Sequence, residues 1–346
     1  MIQGAAYFQR DFVAMESSLS QDTGIKLRST EDGIHLEGSI LWLDSKKTGD
    51  ISFLSNSQCA KSSVDTRVIA TEETTKILEA FRKKPKALVC QYNRPFAIGP
   101  LNMELLPSGA GLGGASLWVE TNQKKILYAP HLQPMNSEIC HHMQLRPADI
   151  LILNAQAPYS SEVEYSRKKE KDRLLHKVIE LIENGQSPII YCDPFVTGPE
   201  LCHLLGSHGI QIDLHSKISK VLKVYESYGS HIEKHDSSAS AQKAKVSLHP
   251  TPQGLKKMRI TLPNRPIISV IDDPNTSIDD GLFKKIEDRF YIPSTCEGRE
   301  LKAIINKVNP QEIYIFGPYA KEYVGQLKSA APSVKALFPK HLPSLF

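Results

Sequence analysis

Three adjacent residues, Cys140, His141 and His142, carry the thiol and imidazole groups that bind transition metals in proteins. Neighbouring side chains in a loop rarely hold one ion together, because a zinc site needs ligands that converge tetrahedrally. We therefore expect this segment to be a solvated loop. The sequence has six cysteines and no Cys-x-x-Cys pair, which indicates reduced thiols in a cytosolic protein.

Two other features could contact phosphate. The glycine-rich run from Gly109 to Gly114 could form a phosphate-binding loop, but the Lys-Ser or Lys-Thr that completes such a loop does not follow it. Local basic runs could also contact an anionic polymer, although a solvated helix face or loop is the simpler explanation for each. The basic runs are residues 82–86, 167–171 and 243–245.

Alternation of apolar and polar residues predicts that the chain opens with antiparallel strands ending at Leu41–Leu43. A buried strand at Val68–Ala70 precedes Thr71, a good helix N-cap, and a helix over 72–82. Several further apolar segments are expected to form strands. They are residues 88–91, 103–106, 116–120, 125–128 and 149–153.

After residue 160 the predicted strands and helices alternate, which is typical of a doubly wound α/β domain. A charged helix is expected over 161–184, and an exposed loop over 234–245, where no periodicity is visible. The other predicted strands are 188–191, 210–212, 267–271 and 313–316, and the other predicted helices are 199–207 and 298–308.

The composition is that of an ordinary globular protein, with 40% hydrophobic and 23% charged residues among 346. The net charge of +4 permits contact with an anionic polymer but is smaller than a nucleic-acid-binding surface normally requires. Residues 1–30 contain neither a recognisable signal peptide nor a membrane anchor. We therefore expect a cytoplasmic protein that does not bind membranes.

The segment from Leu41 to Lys61 resembles the strand and loop that carry the His-x-His-x-Asp-His signature of the metallo-β-lactamase superfamily. It begins with Leu-Trp-Leu-Asp, as the family strand does. The residues at the four signature positions differ from the family, and they are Asn56, Gln58, Ala60 and Lys61.

Further blocks, which run in the same order, are similar to the β-CASP nuclease branch of that superfamily. They are Leu106–Ala115, Leu127–Leu132, Asp149–Gln156, Pro293–Leu301 and Asn309–Pro318. The family residue is again replaced in each block. Ala110 stands at the third histidine, His131 at the aspartate that would bridge two metals, and Gly317 at the last ligand histidine. Asn154 and Thr295 stand at an acidic residue and a histidine of the β-CASP motifs.

The resemblance covers about residue 33 to about residue 330, and it is nearest to bacterial ligase-associated DNA exonucleases and RNA 3′-end processing exonucleases. It implies an α/β (α+β) fold, a metallo-β-lactamase-type αββα sandwich with an inserted α/β β-CASP cap domain. The implied divisions are an N-terminal extension at 1–24, the first part of the sandwich at 25–159, the cap at 160–285, and the C-terminal part of the sandwich at 286–346.

The substitutions remove the di-metal site that the family uses for hydrolysis. Three positions offer no donor atom, and these are Ala60, Ala110 and Gly317. The amides of Asn56 and Gln58 suit hard cations at best, and the Lys61 ammonium would repel a cation. His131 alone cannot hold a catalytic metal. We therefore expect no zinc, no other cofactor and no catalytic residue.

Two functions of different class follow. The preferred one is a non-catalytic nuclease-like protein that binds RNA, DNA or a partner protein, such as an active nuclease relative, and serves as a scaffold or regulator. The alternative is an active metal-dependent nuclease or phosphodiesterase with an atypical site around His131, completed by Asn56, Gln58 and water. A single imidazole binds a metal weakly and activates no water, which disfavours the alternative.

Cys59 could act as a nucleophile if His131 lay beside it, because an imidazole can accept the thiol proton. Its position between two former ligand positions predicts instead that the Cys59 side chain points into the core. An inert thiol is therefore the expectation.

Lys61 could place a fixed positive charge where the family has a metal, and it would then contact a phosphate. We expect Lys61→Ala to weaken nucleic-acid binding and to reduce the slope of log affinity against log salt by about one. Filter binding of single-stranded and duplex RNA and DNA at several salt concentrations measures both quantities. An unchanged slope would show that Lys61 makes no phosphate contact.

Overall fold

The computed structural model describes ten segments of the chain. They are residues 26–46, 50–59, 67–81, 83–134, 138–159, 167–232, 245–251, 265–272, 286–296 and 298–339. The predictions for the N-terminal extension, for Ala60 and Lys61, and for the loop over 234–244 lie outside these segments. Within them the protein is a mixed α/β structure of three sheets and six helices.

The first sheet has six strands in sequential order. They are β1 (Lys26–Ser29), β2 (Ile34–Glu37), β3 (Leu41–Leu43), β4 (Ile51–Phe53), β5 (Arg67–Ala70) and β6 (Lys86–Val89). Strands β1 to β3 pair antiparallel, and β3 to β6 pair parallel. The predicted antiparallel opening that ends at Leu43 is confirmed.

The second sheet has seven strands in the order β18-β17-β11-β10-β9-β8-β7. They are β7 (Phe96–Ile98), β8 (Leu101–Pro107), β9 (Ala115–Glu120), β10 (Lys125–Ala129), β11 (Ile150–Asn154), β17 (Glu312–Phe316) and β18 (Ser333–Ala336). Strands β7 to β10 form an antiparallel meander, whereas β10, β11, β17 and β18 run parallel.

The first two sheets pack face to face around one hydrophobic core. Leu36 and Phe53 of the first sheet share this core with Leu105 and Ile152 of the second. Because alternate residues of a strand point to opposite faces, Leu151, the neighbour of Ile152, packs on the other side of the second sheet.

Helices cover the outer faces of these two sheets. The helix α1 (Glu72–Ala80) contacts the first sheet through Leu78, and its predicted N-cap Thr71 accepts a hydrogen bond from the Thr74 amide at 3.2 Å. Two helices, α5 (Gly298–Val308) and α6 (Ala320–Leu327), contribute to the core on the outer face of the second sheet. The order of layers is therefore helix, sheet, sheet, helix.

The third sheet is parallel and has the strand order β13-β14-β12-β15-β16. Its strands are β12 (Ile189–Cys192), β13 (Ile212–Leu214), β14 (Val246–Pro250), β15 (Ile267–Ile271) and β16 (Ile286–Tyr291), and its helices are α2 (Arg167–Glu183), α3 (Thr197–Ser207) and α4 (Ser216–Ser227). The α/β alternation predicted after residue 160 is confirmed. The sheet extends past residue 285, where the sequence had placed the end of the cap, because β16 pairs with β15.

Tyr225 on α4 joins the third-sheet region to the glycine-rich run. Its side chain is fully buried, and its hydroxyl accepts a hydrogen bond from the Leu112 amide at 2.9 Å and donates one to the Phe195 carbonyl at 2.9 Å. Gly111 leaves room for this contact, since a Cβ added there would lie 2.9 Å from Val196 and 3.1 Å from the Tyr225 hydroxyl.

None of the described helices is both long and apolar enough to cross a membrane.

We expect Tyr225→Phe to lower the free energy of unfolding by about 1–3 kcal/mol, because the buried Leu112 amide and Phe195 carbonyl both lose a partner. Urea denaturation monitored by circular dichroism measures the change. Tyr314→Phe is the matched control, since it removes a hydroxyl that donates to the Glu312 carboxylate near the surface. Equal losses for the two variants would contradict a special role for Tyr225.

Candidate functional site

The predicted site positions that the structure describes gather at one edge of the second sheet. Ala110, His131 and Gly317 follow β8, β10 and β17, and Asn154 ends β11. These four strands run in the same direction, so their carboxyl ends meet at the same edge. The turn after β4 reaches this edge as well, because the Ala115 amide donates to the Ser55 carbonyl at 2.8 Å.

Asn56 is buried and forms part of the turn after β4. Its side-chain oxygen accepts hydrogen bonds from the backbone amides of Gln58 at 2.9 Å and Cys59 at 3.1 Å. Asparagine commonly shapes turns in this way. The oxygen that a metal would need is therefore already used by the backbone.

Gln58 links this turn to the third-sheet region. Its side chain hydrogen-bonds to the carboxylate of Asp193, which also accepts from the amides of Phe195 at 2.8 Å and Val196 at 2.7 Å. Burial raises the pKa of Asp193, and these hydrogen bonds oppose that rise. Gln58 thus acts as a contact between two parts of the fold.

The glycine-rich run forms a tight turn, in which the Ser108 amide donates to the Gly114 carbonyl and the Gly114 amide to the Gly111 carbonyl. Ala110, at the position of the third histidine, is 3% exposed and lies within this turn. The hydroxyls of Thr71 and Thr74 both donate to the Gly113 carbonyl at 2.9 Å. These hydrogen bonds fasten the turn to the first turn of α1, which is a structural role.

Gly317, at the position of the last histidine, has no room for a side chain. Its φ of +101° lies in the region that favours glycine. A Cβ added there would lie 2.6 Å from the side-chain oxygen of Asn154 and 2.7 Å from the Ala155 carbonyl. Asn154, at the position of a β-CASP acidic residue, therefore occupies the space that a larger residue 317 would need.

His131 and Cys59 lie together at the same edge. The Cys59 sulfur is 3.6 Å from Nε2 of His131 and 3.4 Å from the Ser55 hydroxyl. Both Cys59 and His131 are partly exposed. The Cys59 side chain, which the sequence predicted to point into the core, lies between the buried Ser55 hydroxyl and the His131 ring.

The carboxylate of Asp44 acts electrostatically on His131. It accepts hydrogen bonds from the Ser55 amide at 2.8 Å and from the Tyr128 hydroxyl at 2.8 Å. Burial lowers the pKa of His131, and the negative charge of Asp44 opposes that change. The lowered pKa favours the neutral imidazole, whose unprotonated ring nitrogen can accept a hydrogen bond.

A second polar cluster lies at the carboxyl ends of β12 and β15, where Asp193 and Asp272 follow the strands. Burial and the nearby charge of Asp193 raise the pKa of Asp272 to about 7, whereas the Arg167 guanidinium opposes this rise. Arg167 is buried, pairs with Glu200 and donates to the Pro293 carbonyl. The sequence analysis missed this cluster, although each aspartate directly follows an apolar strand.

The other predicted positions are less central. His141 and His142 are exposed, so the predicted solvated loop is confirmed. Thr295 is partly exposed and precedes Cys296, whose amide donates to the Leu132 carbonyl at 2.6 Å. In the part of the chain that the structure describes, no group of three or more His, Cys, Asp and Glu residues is placed to hold a metal ion.

An open groove lies between α1 and α4, apart from these positions. Its volume is about 590 Å³, and both positively charged lysines and negatively charged glutamates line it. They include Lys76, Lys220, Lys223, Glu72 and Glu79. The mixed charge gives the groove no preference for an anionic or a cationic ligand.

Comparisons with protein-family models and with curated protein sequences find no match for this chain. The fold is similar to that of a crystal structure of a protein of unknown function from Enterococcus faecalis V583, with a TM-score of 0.54 and 14% sequence identity. The match covers 85% of this chain and 81% of that chain. At this identity the likeness concerns the fold alone.

We expect Gly317→Ala to lower the free energy of unfolding by about 1–3 kcal/mol, because the new methyl group meets the Ala155 carbonyl and forces a left-handed residue. Gly325→Ala in α6 is the matched control. A Cβ at Gly325 meets nothing within 4 Å, so this variant should be about 0.5–1 kcal/mol more stable. Thermal or urea denaturation measures the change in both variants. An unchanged free energy of unfolding in Gly317→Ala would show that the backbone at this edge can move.

Proposed function

We propose that this chain is a non-catalytic, nuclease-like protein of the metallo-β-lactamase superfamily, β-CASP branch, which binds a nucleic acid or a partner protein. The layer order of helix, sheet, sheet, helix supports this proposal. So does the place of the third sheet, whose strands lie in sequence between β11 and β17, two neighbours in the second sheet. An inserted cap over a sandwich has this connectivity.

The observation that carries the proposal is the closed backbone at Gly317. Hydrolysis by a two-metal site needs ligands that converge on both ions and leave a position open for water. At Gly317 the space for a ligand is filled by Asn154 and the Ala155 carbonyl. The edge is therefore packed as protein, and restoring a histidine would require the backbone to move.

The atypical metal site around His131 receives less support. It would need the amide oxygens of Asn56 and Gln58 together with the imidazole. Asn56 already accepts two backbone hydrogen bonds, and Gln58 is bound to Asp193. Freeing both groups would cost several hydrogen bonds, about 1 kcal/mol or more each.

We expect no metal-dependent hydrolysis of RNA or DNA by the protein, because no activated water can form without converging ligands. Labelled single-stranded and duplex substrates with added manganese, magnesium or zinc test this. His131→Ala is the matched variant, and it should give the same background as the unaltered protein. Turnover that depends on metal and disappears in His131→Ala would overturn the non-catalytic assignment.

Binding is measured separately on the same protein. Affinity capture from cells, followed by identification of the RNA, DNA or protein that co-purifies, names the partner class. A binding role would be contradicted if the chain is recovered without any partner at low salt and has no detectable affinity for single-stranded or duplex RNA or DNA.

A further inference from the structure

The pair formed by Cys59 and His131 is a chemical feature that the proposed binding function does not use. The Cys59 sulfur lies 3.6 Å from Nε2 of His131, within hydrogen-bond distance, and the thiol donates to the imidazole when the ring carries its proton on Nδ1. The two residues are separated by 72 positions in the chain, so the fold brings them together. An imidazole that accepts a thiol proton is the usual means by which proteins activate cysteine.

The other cysteines have surroundings that make them unreactive. Burial raises the pKa of Cys90 and of Cys296 to about 12, and that of Cys192 well above its ordinary value. Cys202 is 1% exposed. Only a thiolate attacks an electrophile at a useful rate, so these thiols are inert.

Cys140 is the informative comparison, because it is partly exposed as Cys59 is. Its thiol donates to the Gly109 carbonyl at 3.5 Å. A carbonyl oxygen accepts a hydrogen bond but cannot take the proton away. Cys59 differs from Cys140 in lying 3.6 Å from the ring nitrogen of His131.

We propose that Cys59 is a modification site at which His131 activates the thiol for exchange with small disulfides. The site lies at the carboxyl-end edge of the second sheet, beside Gln58 and Ser55. A small, flexible disulfide is the class of reagent that suits a cysteine that is only partly exposed.

The exchange transfers one sulfur group. As the Cys59 sulfur attacks a disulfide R–S–S–R, its proton passes to Nε2 of His131. The new bond joins Cys59 to one sulfur of the reagent, the old sulfur–sulfur bond breaks, and the leaving thiolate takes the proton from His131. The products are the mixed disulfide on Cys59 and one thiol R–SH, so the Cys59 sulfur is oxidised and the leaving sulfur is reduced.

Neighbouring groups are compatible with this step. The Ser55 hydroxyl, 3.4 Å from the sulfur, can donate to the thiolate as it forms. Both oxygens of Asp44 accept hydrogen bonds, from the Ser55 amide and the Tyr128 hydroxyl, and its charge favours the transient imidazolium. The Tyr128 hydroxyl faces Asp44 and therefore does not compete for the thiol proton.

The test exposes native protein to hydroxyethyl disulfide for timed intervals, quenches with acid and quantifies adducts on each cysteine peptide by mass spectrometry. We expect Cys59 to react about tenfold or more faster than Cys140, the internal reference. In His131→Gln the rate at Cys59 should fall about tenfold or more, and the rate at Cys140 should stay the same. In urea the two cysteines of the unaltered protein should react at similar rates.

Two results would overturn the proposal. One is a rate of adduct formation at Cys59 in the native, unaltered protein that is no higher than the rate at Cys140. This result requires no variant. The other is an unchanged ratio of the two rates in folded His131→Gln. Folding of that variant is checked within the same experiment, because exposure of the buried Cys90 and Cys296 would make them react as well. Neither result bears on nucleic-acid or partner binding, so this proposal stands or falls independently of the proposed function.

Discussion

The buried hydroxyl of Tyr225 is the interaction on which the arrangement of the site depends. It satisfies the Leu112 amide in the glycine-rich turn and the Phe195 carbonyl beside α3. A buried polar group without a partner is costly, so this hydroxyl fixes the distance between the two parts of the fold. The requirement for glycine at position 111 follows from that distance. The contact of Gln58 with Asp193 is then a second link across the same junction.

Hydrogen bonds within the protein hold this edge of the second sheet together. Two polar residues of this edge, Asn56 and Gln58, each have a protein partner. Asn56 holds a turn, Gln58 holds Asp193, and Asn154 fills the space beside Gly317. Replacing Asn56 would leave the Gln58 and Cys59 amides without this partner, and replacing Gln58 would remove one hydrogen bond from Asp193.

Local signals made much of the fold predictable. The alternation before Leu43, the N-cap at Thr71 and the apolar runs of the parallel strands each act over a few residues, and the structure has them. The helix α4 was missed although Ile218, Val221, Leu222 and Tyr225 repeat at helical spacing, because its N-cap is His215, an uncommon cap residue. The direction of the Cys59 thiol could not be read from the sequence, since it depends on a histidine 72 positions away.

The polar groups at the edge differ in the chemical capacity they retain. The carboxylate of Asp44 is bound on both oxygens, and the oxygen of Asn56 is bound twice. Cys59 and His131 instead share a long, weak sulfur hydrogen bond and keep part of their surface accessible. A weak bond is readily exchanged for a bond to an incoming group, whereas a buried, charge-assisted one is not. Chemistry at this edge therefore proceeds through sulfur and a neutral imidazole, in a protein whose other site residues serve to hold the fold together.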